Sequence, residues 1–280
     1  MKILKNYEMN SWSNMKIGGI AENYFIVENR EDLIEINQKY EKLFILGNGT
    51  NTLIGDGKLK TNFVSLEKLN KIEKIEKNII KVEAGVDFSG LINYNKRNNY
   101  KGLENLAGIP GSLGGLVYMN GGSYGSEIFD CLISVEILDK KNKIREIKKE
   151  DLRYSYRKTE IQEKEWIILS ATFLFEEGFD EAKVKELNIK RHQNHPLDLP
   201  NLGSSFKNPE GKHAVKVILE AGLMGYTVGK AQLSTKHANF IVNLGGATFN
   251  DVITLIEHVK LEVKKKTGIS LEEEIVIIND

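Results

Sequence analysis

One cysteine, Cys131, stands in a chain of 280 residues. It can close no intramolecular disulfide and build no thiolate metal cage, so the fold must stand on packing, and a reducing compartment, the cytoplasm, is expected. Excess charge is missing as well: 39 Lys and Arg balance 39 Asp and Glu. A dedicated nucleic-acid binder draws its affinity from a surplus of cations over phosphate, so that class is excluded, although a local basic pocket is not. No stretch approaches the roughly 20 consecutive apolar residues of a membrane span. The opening MKILKNYEMNSWSN lacks the apolar segment of a signal peptide. GxxxxGK[ST] does not occur, which argues against a P-loop phosphotransferase, and no GxSxG elbow supports a Ser-His-Asp hydrolase.

Proline is scarce, at four residues, whereas glycine is plentiful, at 25, and clustered. The window Glu31 to Tyr40 reads as a helix running into the buried strand Leu43 to Leu46 and the tight turn Gly47 to Asn51. Ile79 to Gly85 reads as a strand, followed by an amphipathic stretch that Asp87 can cap. Gly102 to Gly125 is too glycine-rich for a regular helix and too apolar for a linker, which predicts a structured loop. Leu132 to Asp139 and Trp166 to Phe175 read as antiparallel strands, with a turn at Lys140 to Lys143. A polar helix from about Asp180 to Gln193 precedes PLDLPNLG (Pro196 to Gly203), which holds two of the prolines and marks a domain boundary. Beyond it come a helix closed by Gly222, a strand Asn239 to Asn243, a helix Asp251 to Thr267 capped by Asn250 or Asp251 and stopped by Gly268, and a last strand Ile275 to Ile278. Strands and helices mixed irregularly predict an α+β fold.

GNGTNT carries half of a GxGxxG fingerprint, with Thr52 in place of the third glycine, and fails as a Rossmann site. Taken alone it is either an ordinary turn or a cradle in which backbone N–H groups and Thr50 meet a diphosphate. The second loop favours the cradle. Gly108, Gly111, Gly114, Gly115, Gly121, Gly122 and Gly125 permit close backbone approach to a bulky ligand, while Ile109, Pro110 and Leu113 line an apolar surface. Two separate glycine loops suit a long phosphate-bearing ligand. His192 and His195 are spaced for one helix face, but no third ligand accompanies them, so no metal is expected and helix-end histidines are the ordinary reading. Glu272, Glu273 and Glu274 read as a solvated edge, and spacing alone assigns no role to SYRKT (Ser155 to Thr159) or GSSFKNP (Gly203 to Pro209).

In order along the chain, NMKIGGIAENYFIV, LGNGTNTLI, GIPGSLGGLVYMNGGSYG, SYRKT, GSSFKNP, VGKAQLSTKHANFIVN and LEEEIVII together resemble the bacterial UDP-N-acetylenolpyruvoylglucosamine reductases, in the shorter form that lacks an inserted substrate loop. The resemblance implies a two-lobed FAD-binding domain of the vanillyl-alcohol-oxidase type over residues 1–196 (lobes of about 1–65 and 66–196). It implies a smaller α+β substrate domain over 197–280, its last strand (about 271–280) returning to the FAD domain. It also implies reduction of UDP-N-acetylglucosamine enolpyruvate to UDP-N-acetylmuramate for peptidoglycan, with non-covalent FAD as cofactor and NADPH as hydride donor. Matched motif to motif, Gly47, Asn48, Gly49, Thr50, Asn51, Gly108, Ile109, Pro110, Gly111, Ser112, Gly114, Gly115, Asn120 and Gly121 become FAD contacts. Arg157 and Glu274 become the charge-stabilising pair and Ser204 the proton donor, with Lys207, Asn208 and Lys230 on the substrate. A monomer is expected.

The pattern departs from the family at Met224, where a basic residue often helps hold the substrate diphosphate, and at Lys230, where glycine is usual; Lys230 is expected to take over part of that charge. His195 replaces a glutamine and Thr159 a serine, and Ser205 beside Ser204 is a second candidate hydroxyl. Two other classes fit parts of the pattern. A flavin oxidase of the same fold would commonly tether FAD through His or Cys, and a nucleotide-binding regulatory protein would need the glycine loops but not Arg157, Ser204 and Glu274.

Overall fold

The computed structural model describes residues 1–280, which form two compact units. The first comprises Met1–Lys5, Asn23–Asn48 and Thr61–Ile189; the second comprises Asn6–Glu22, Gly49–Lys60 and Lys190–Asp280. The border thus lies earlier than the expected break at 196/197, and the second unit recruits two early segments that sequence reading placed in the FAD domain. The chain passes from one unit to the other within the strands Lys2–Glu8, Ile20–Ile26 and Lys58–Ser65, inside the Gly47 to Asn51 loop, and within the helix Glu181–Asn194.

The first unit is built on a five-stranded antiparallel sheet ordered Ile144–Lys148, Leu132–Leu138, Ile167–Leu174, Ile79–Glu83, Ile72–Glu76. Alternation sorts its two faces. Val135, Ala171 and Val82 lie in register and are buried. The neighbouring register joins Glu136, Ser170 and Glu83, a polar row. Phe88, Leu91 and Ile92 of the helix Phe88–Arg97 recur at helical spacing and pack into the same core as Val82 and Phe173. Asp87 caps that helix, accepting from Ser89 N at 3.1 Å. A parallel strand pair, Leu43–Leu46 against Asn62 to Ser65, delivers the chain to Gly47.

The second unit carries a four-stranded antiparallel sheet ordered Asn201–Ser204, Phe240–Asn243, Ala231–Leu233, Thr227–Val228. The helices Ala214–Glu220 and Phe249–Thr267 bury Val217, Ile218, Val252, Leu255, Val259 and Val263 in one core with Leu202 and Ile241. The long helix begins earlier than expected: its cap is Thr248, whose hydroxyl accepts from Asp251 N while the Asp251 carboxylate returns to Thr248 N, a reciprocal capping box. It ends at Gly268 in the left-handed conformation (φ 74°), as expected. The last strand, Val276–Ile278, pairs in parallel with Thr52–Ile54, and both partners belong to the second unit. No helix is long and apolar enough to cross a membrane.

Candidate active site

In the first unit the two glycine loops meet at Ser112. Gly47 lies so close that a Cβ there would come within 2.6 Å of Ser112 Oγ. Asn48 donates through Nδ2 to Asp87 Oδ1 at 2.8 Å, and Asp87 forms a β-bridge with Ser112. Phe88 N donates to Gly111 O at 2.9 Å, and Leu113 N donates to Val86 O at 2.8 Å. The expected loop over Gly102 to Gly125 contains one short helix, Leu113–Tyr118, capped by Ser112. Two glycines within it are tolerated because Gly114 packs on the Ile79 strand: a Cβ there would stand 2.9 Å from Ala84 Cβ. Gly108, Pro110 and Gly115 are exposed and Ile109 half-buried, so the surface presents bare backbone beside an apolar side chain. Such a surface lets a long ligand approach the glycine backbone closely, with a flat ring system over the apolar part. The residues present therefore fit FAD.

The loop read as one cradle is divided. Gly47 and Asn48 belong to the first unit, Gly49, Thr50 and Asn51 to the second. Gly49 has φ 67° and its carbonyl accepts from Asn14 N at 3.0 Å, while Asn51 Nδ2 donates to Glu274 O at 3.1 Å and Asn51 O accepts from Val276 N at 2.9 Å. Asn51 thereby anchors the chain at Glu274.

Arg157 occupies the turn of a two-residue hairpin, Tyr154–Ser155 against Lys158–Thr159. Its φ of 55° puts a non-glycine residue in the left-handed region, at a cost of about 1–2 kcal/mol. Three contacts hold it there. Nη1 donates to Asn120 O at 3.1 Å, Nη2 donates to Gly122 O at 2.6 Å, and the guanidinium lies 4.8 Å from the Tyr156 ring centroid. The hairpin is docked on the glycine loop a second time by Thr159 Oγ1, which donates to Tyr118 O at 2.6 Å.

In the second unit Ser204 ends its strand opposite Phe240, after a ladder irregularity at Gly203, whose φ of 77° bends the strand. Ser205 N donates to Asn239 O at 2.8 Å, Glu274 N donates to Ser205 O at 2.9 Å, and Lys207 N donates to Glu272 O at 2.8 Å. Ser205 to Lys207 is therefore held between Asn239 on one side and Glu272 to Glu274 on the other. Asn239, buried, also clamps Phe206, accepting from its N–H at 3.0 Å and donating to its carbonyl at 2.9 Å. Ser204 and Glu274 are half-buried, whereas Ser205 is 3% exposed and turned into the fold. The solvated glutamate edge is only partly so: Glu272 pairs with Lys207 at 2.5 Å and Glu273 with Lys260 at 2.7 Å. Asn208 Oδ1 accepts from Ala214 N at 3.0 Å and steadies the following helix.

Lys230 is not brought to this cluster. Exposed at the turn of the Thr227–Val228 and Ala231–Leu233 hairpin, it lies at the Asn243 end of the sheet, whereas Ser204 lies at the Phe240 end. Met224 precedes Gly225, whose N–H donates to Leu233 O, so it sits at the other end of the same hairpin from Lys230.

The histidines form no metal set. His195 stands edge-on to His237 at 5.2 Å, and both rings contact Phe240, at 4.9 and 4.8 Å. His192 points elsewhere, offering only its carbonyl to Lys236 Nζ at 2.6 Å. Burial, with the nearby charges of His237, Arg191 and Lys236, pushes His195 down to about 4. Sequence reasoning missed Asn239, which lay inside the motif KHANFIVN without a role, and Glu127, whose local signal is a reciprocal cap with Asp130.

Residues 195–278 match the model of the UDP-N-acetylenolpyruvoylglucosamine reductase C-terminal domain, and residues 21–148 match an FAD binding domain. A UDP-N-acetylenolpyruvoylglucosamine reductase of Fusobacterium nucleatum is 53% identical over 99% of this chain and all of its own length. One of Caldanaerobacter subterraneus is 41% identical over all of this chain and 94% of its own. The crystal structure of UDP-N-acetylenolpyruvylglucosamine reductase from Thermus caldophilus superposes with a TM-score of 0.86 at 29% identity, covering all of both chains. On sequence and fold alike, this chain belongs to the UDP-N-acetylenolpyruvoylglucosamine reductase family.

Proposed function

We propose that the protein reduces the enolpyruvyl ether of UDP-N-acetylglucosamine enolpyruvate to UDP-N-acetylmuramate, using NADPH and FAD, as a cytoplasmic monomer in peptidoglycan precursor synthesis and so in cell-wall biogenesis, cell shape and division. The observation that carries this reading is the pairing of the Ser204 segment with Glu274 through the Ser205 and Glu274 backbone, which leaves one half-exposed hydroxyl and one half-buried carboxyl on adjacent positions.

FAD, which Gly47, Asn48 and the Gly108 to Gly121 loop of the first unit would hold, would supply the hydride drawn from NADPH. The chain's own residues handle the charge and the proton. Hydride addition at the terminal vinyl carbon builds negative charge on the adjacent carbon and its carboxylate. Arg157 presents a planar guanidinium fork that suits a carboxylate. Glu274 is the second member of the charge-stabilising pair and can meet that anion by a hydrogen bond from its carboxyl in the acid form. Ser204 Oγ gives its proton to the adjacent carbon and regains one from solvent. Ser205 is too deeply buried to do so. Lys207, Asn208 and Lys230 serve as polar substrate contacts, Lys207 by exchanging Glu272 for the ligand.

A visible spectrum tests the reading. Purified protein should show a flavin band released by denaturation, bleached by NADPH and restored anaerobically by UDP-N-acetylglucosamine enolpyruvate. A band restored only by oxygen would favour a flavin oxidase, and colourless protein that takes up no FAD would favour a nucleotide-binding module.

A further inference from the structure

Arg157 is held by two carbonyls, and what fixes those carbonyls is a separate pair of side chains. Asn120 is fully buried, at φ 46°, and its Nδ2 donates to Glu127 Oε2 at 2.6 Å and to Ser155 O at 3.2 Å. Its own carbonyl is the one that receives Arg157 Nη1. The second carbonyl, Gly122 O, belongs to the residue paired with Glu127 across the small ladder Gly122–Ser123 against Ser126–Glu127. Glu127 is itself pinned, since its N–H donates to Asp130 Oδ2 at 2.9 Å and its side chain returns the cap. That ladder has no room to shift, because a Cβ at Gly122 would meet Ser126 O at 2.3 Å.

We propose that Glu127, acting through Asn120, is the positioning residue that orients the Arg157 guanidinium for the reduction step. The proposal rests on the function given above. Its physical basis is the left-handed backbone at Arg157 and Asn120: two strained residues keep their conformation only where surrounding bonds over-determine it. A charge-assisted bond from a buried amide to a carboxylate is the strongest of those bonds. Without the carboxylate, the Asn120 amide keeps only Ser155 O at a longer distance, the 120–122 backbone relaxes, and the guanidinium loses its register by a fraction of an ångström, enough to matter in a step built on electrostatic alignment.

Single-turnover reoxidation of the NADPH-reduced holoenzyme by UDP-N-acetylglucosamine enolpyruvate tests this in two backgrounds. Glu127→Ala should slow reoxidation at saturating substrate at least tenfold in the otherwise native enzyme, with apparent substrate affinity within threefold. It should slow it less than twofold once Arg157→Ala is present. Glu127→Gln, which keeps an acceptor for Asn120, should recover to within threefold of the native rate. Equal losses in both backgrounds, or no loss in the first, would overturn the positioning role while leaving the activity intact. A native enzyme that is never reoxidised by this substrate would overturn both. Should Glu127→Ala not fold or hold flavin, Glu127→Asp, which withdraws the carboxylate by one methylene, carries the same two-background comparison.

Discussion

Ser204 and Ser205 are chemically identical neighbours that the fold treats in opposite ways. Ser205 is buried with its backbone bonded on both sides, to Asn239 and Glu274, whereas Ser204 stands half-exposed at a bent strand end. Ser204→Ala should leave NADPH bleaching of the flavin near normal and slow substrate reduction at least a hundredfold. Ser205→Ala should slow neither by more than about threefold while lowering stability by about 1 kcal/mol. Similar losses in both half-reactions for Ser204→Ala would remove it as proton donor. His195 gives a second prediction at this scale. Its folded value of about 4 lies below the ordinary 6.5, so between those values the unfolded chain binds a proton that the folded chain refuses. Stability from this group is complete above pH 6.5 and is lost as pH falls toward 4. Because the ring is partly solvated, the loss is ~1 kcal/mol by pH 5. Urea midpoints at pH 7 and pH 5 should therefore converge in His195→Gln, and an unchanged difference would refute the assignment. The motif match named Ser204, but the burial of Ser205 was not legible in the one-dimensional pattern, and His195 lies 42 residues from the ring it faces.

Elements were easier to read than sites. Leu43 to Leu46, Ile79 to Gly85 and Asn239 to Asn243 read as short strands, and the strands found are Leu43–Leu46, Ile79–Glu83 and Phe240–Asn243. Where elements were misread, a distant partner decided. The glycine-rich stretch contains the helix Leu113–Tyr118 because Ser112 caps it and Ala84 accepts Gly114 at close range, facts invisible locally. The sheet of the first unit carries a partly buried polar register that sets a further prediction. Burial alone would raise the Glu136 carboxyl, yet hydrogen bonds from Arg30 (2.8 and 2.6 Å), Ser170 (2.8 Å) and Lys81 (3.0 Å) hold it below the usual carboxylate range. Glu136→Gln keeps the shape but removes the charge that joins four elements. Urea denaturation should show a loss of about 1–3 kcal/mol, with the wild-type advantage present above the unfolded carboxyl value and fading as pH falls through the folded one.

At the scale of the molecule, a net charge of zero conceals how cations are used. Arg157 is committed to backbone carbonyls, Lys207 to Glu272 and Lys260 to Glu273, so the balance seen in composition is realised as local pairs rather than a field. The chain's ends also matter. Val276–Ile278 pairs with Thr52–Ile54, and Gly55 N donates to Ile278 O at 2.7 Å, so deletion of residues 276–280 should lower Tm by roughly 5–10 °C, measured by calorimetry. An unchanged Tm would show that the strand is dispensable. By itself the sequence determined the family, through seven motifs in order, and it determined the α+β class, the glycine loops and most helices and strands, because φ preferences and apolar periodicity act over a few residues. Tertiary structure alone decided that Gly47 to Asn51 divides between two units, that Ser204 rather than Ser205 meets solvent, that Lys230 lies at the far end of its hairpin, and that Glu127 anchors Arg157. Those outcomes depend on which strand pairs with which and in what register, and pairing partners tens to hundreds of residues apart leave no local mark.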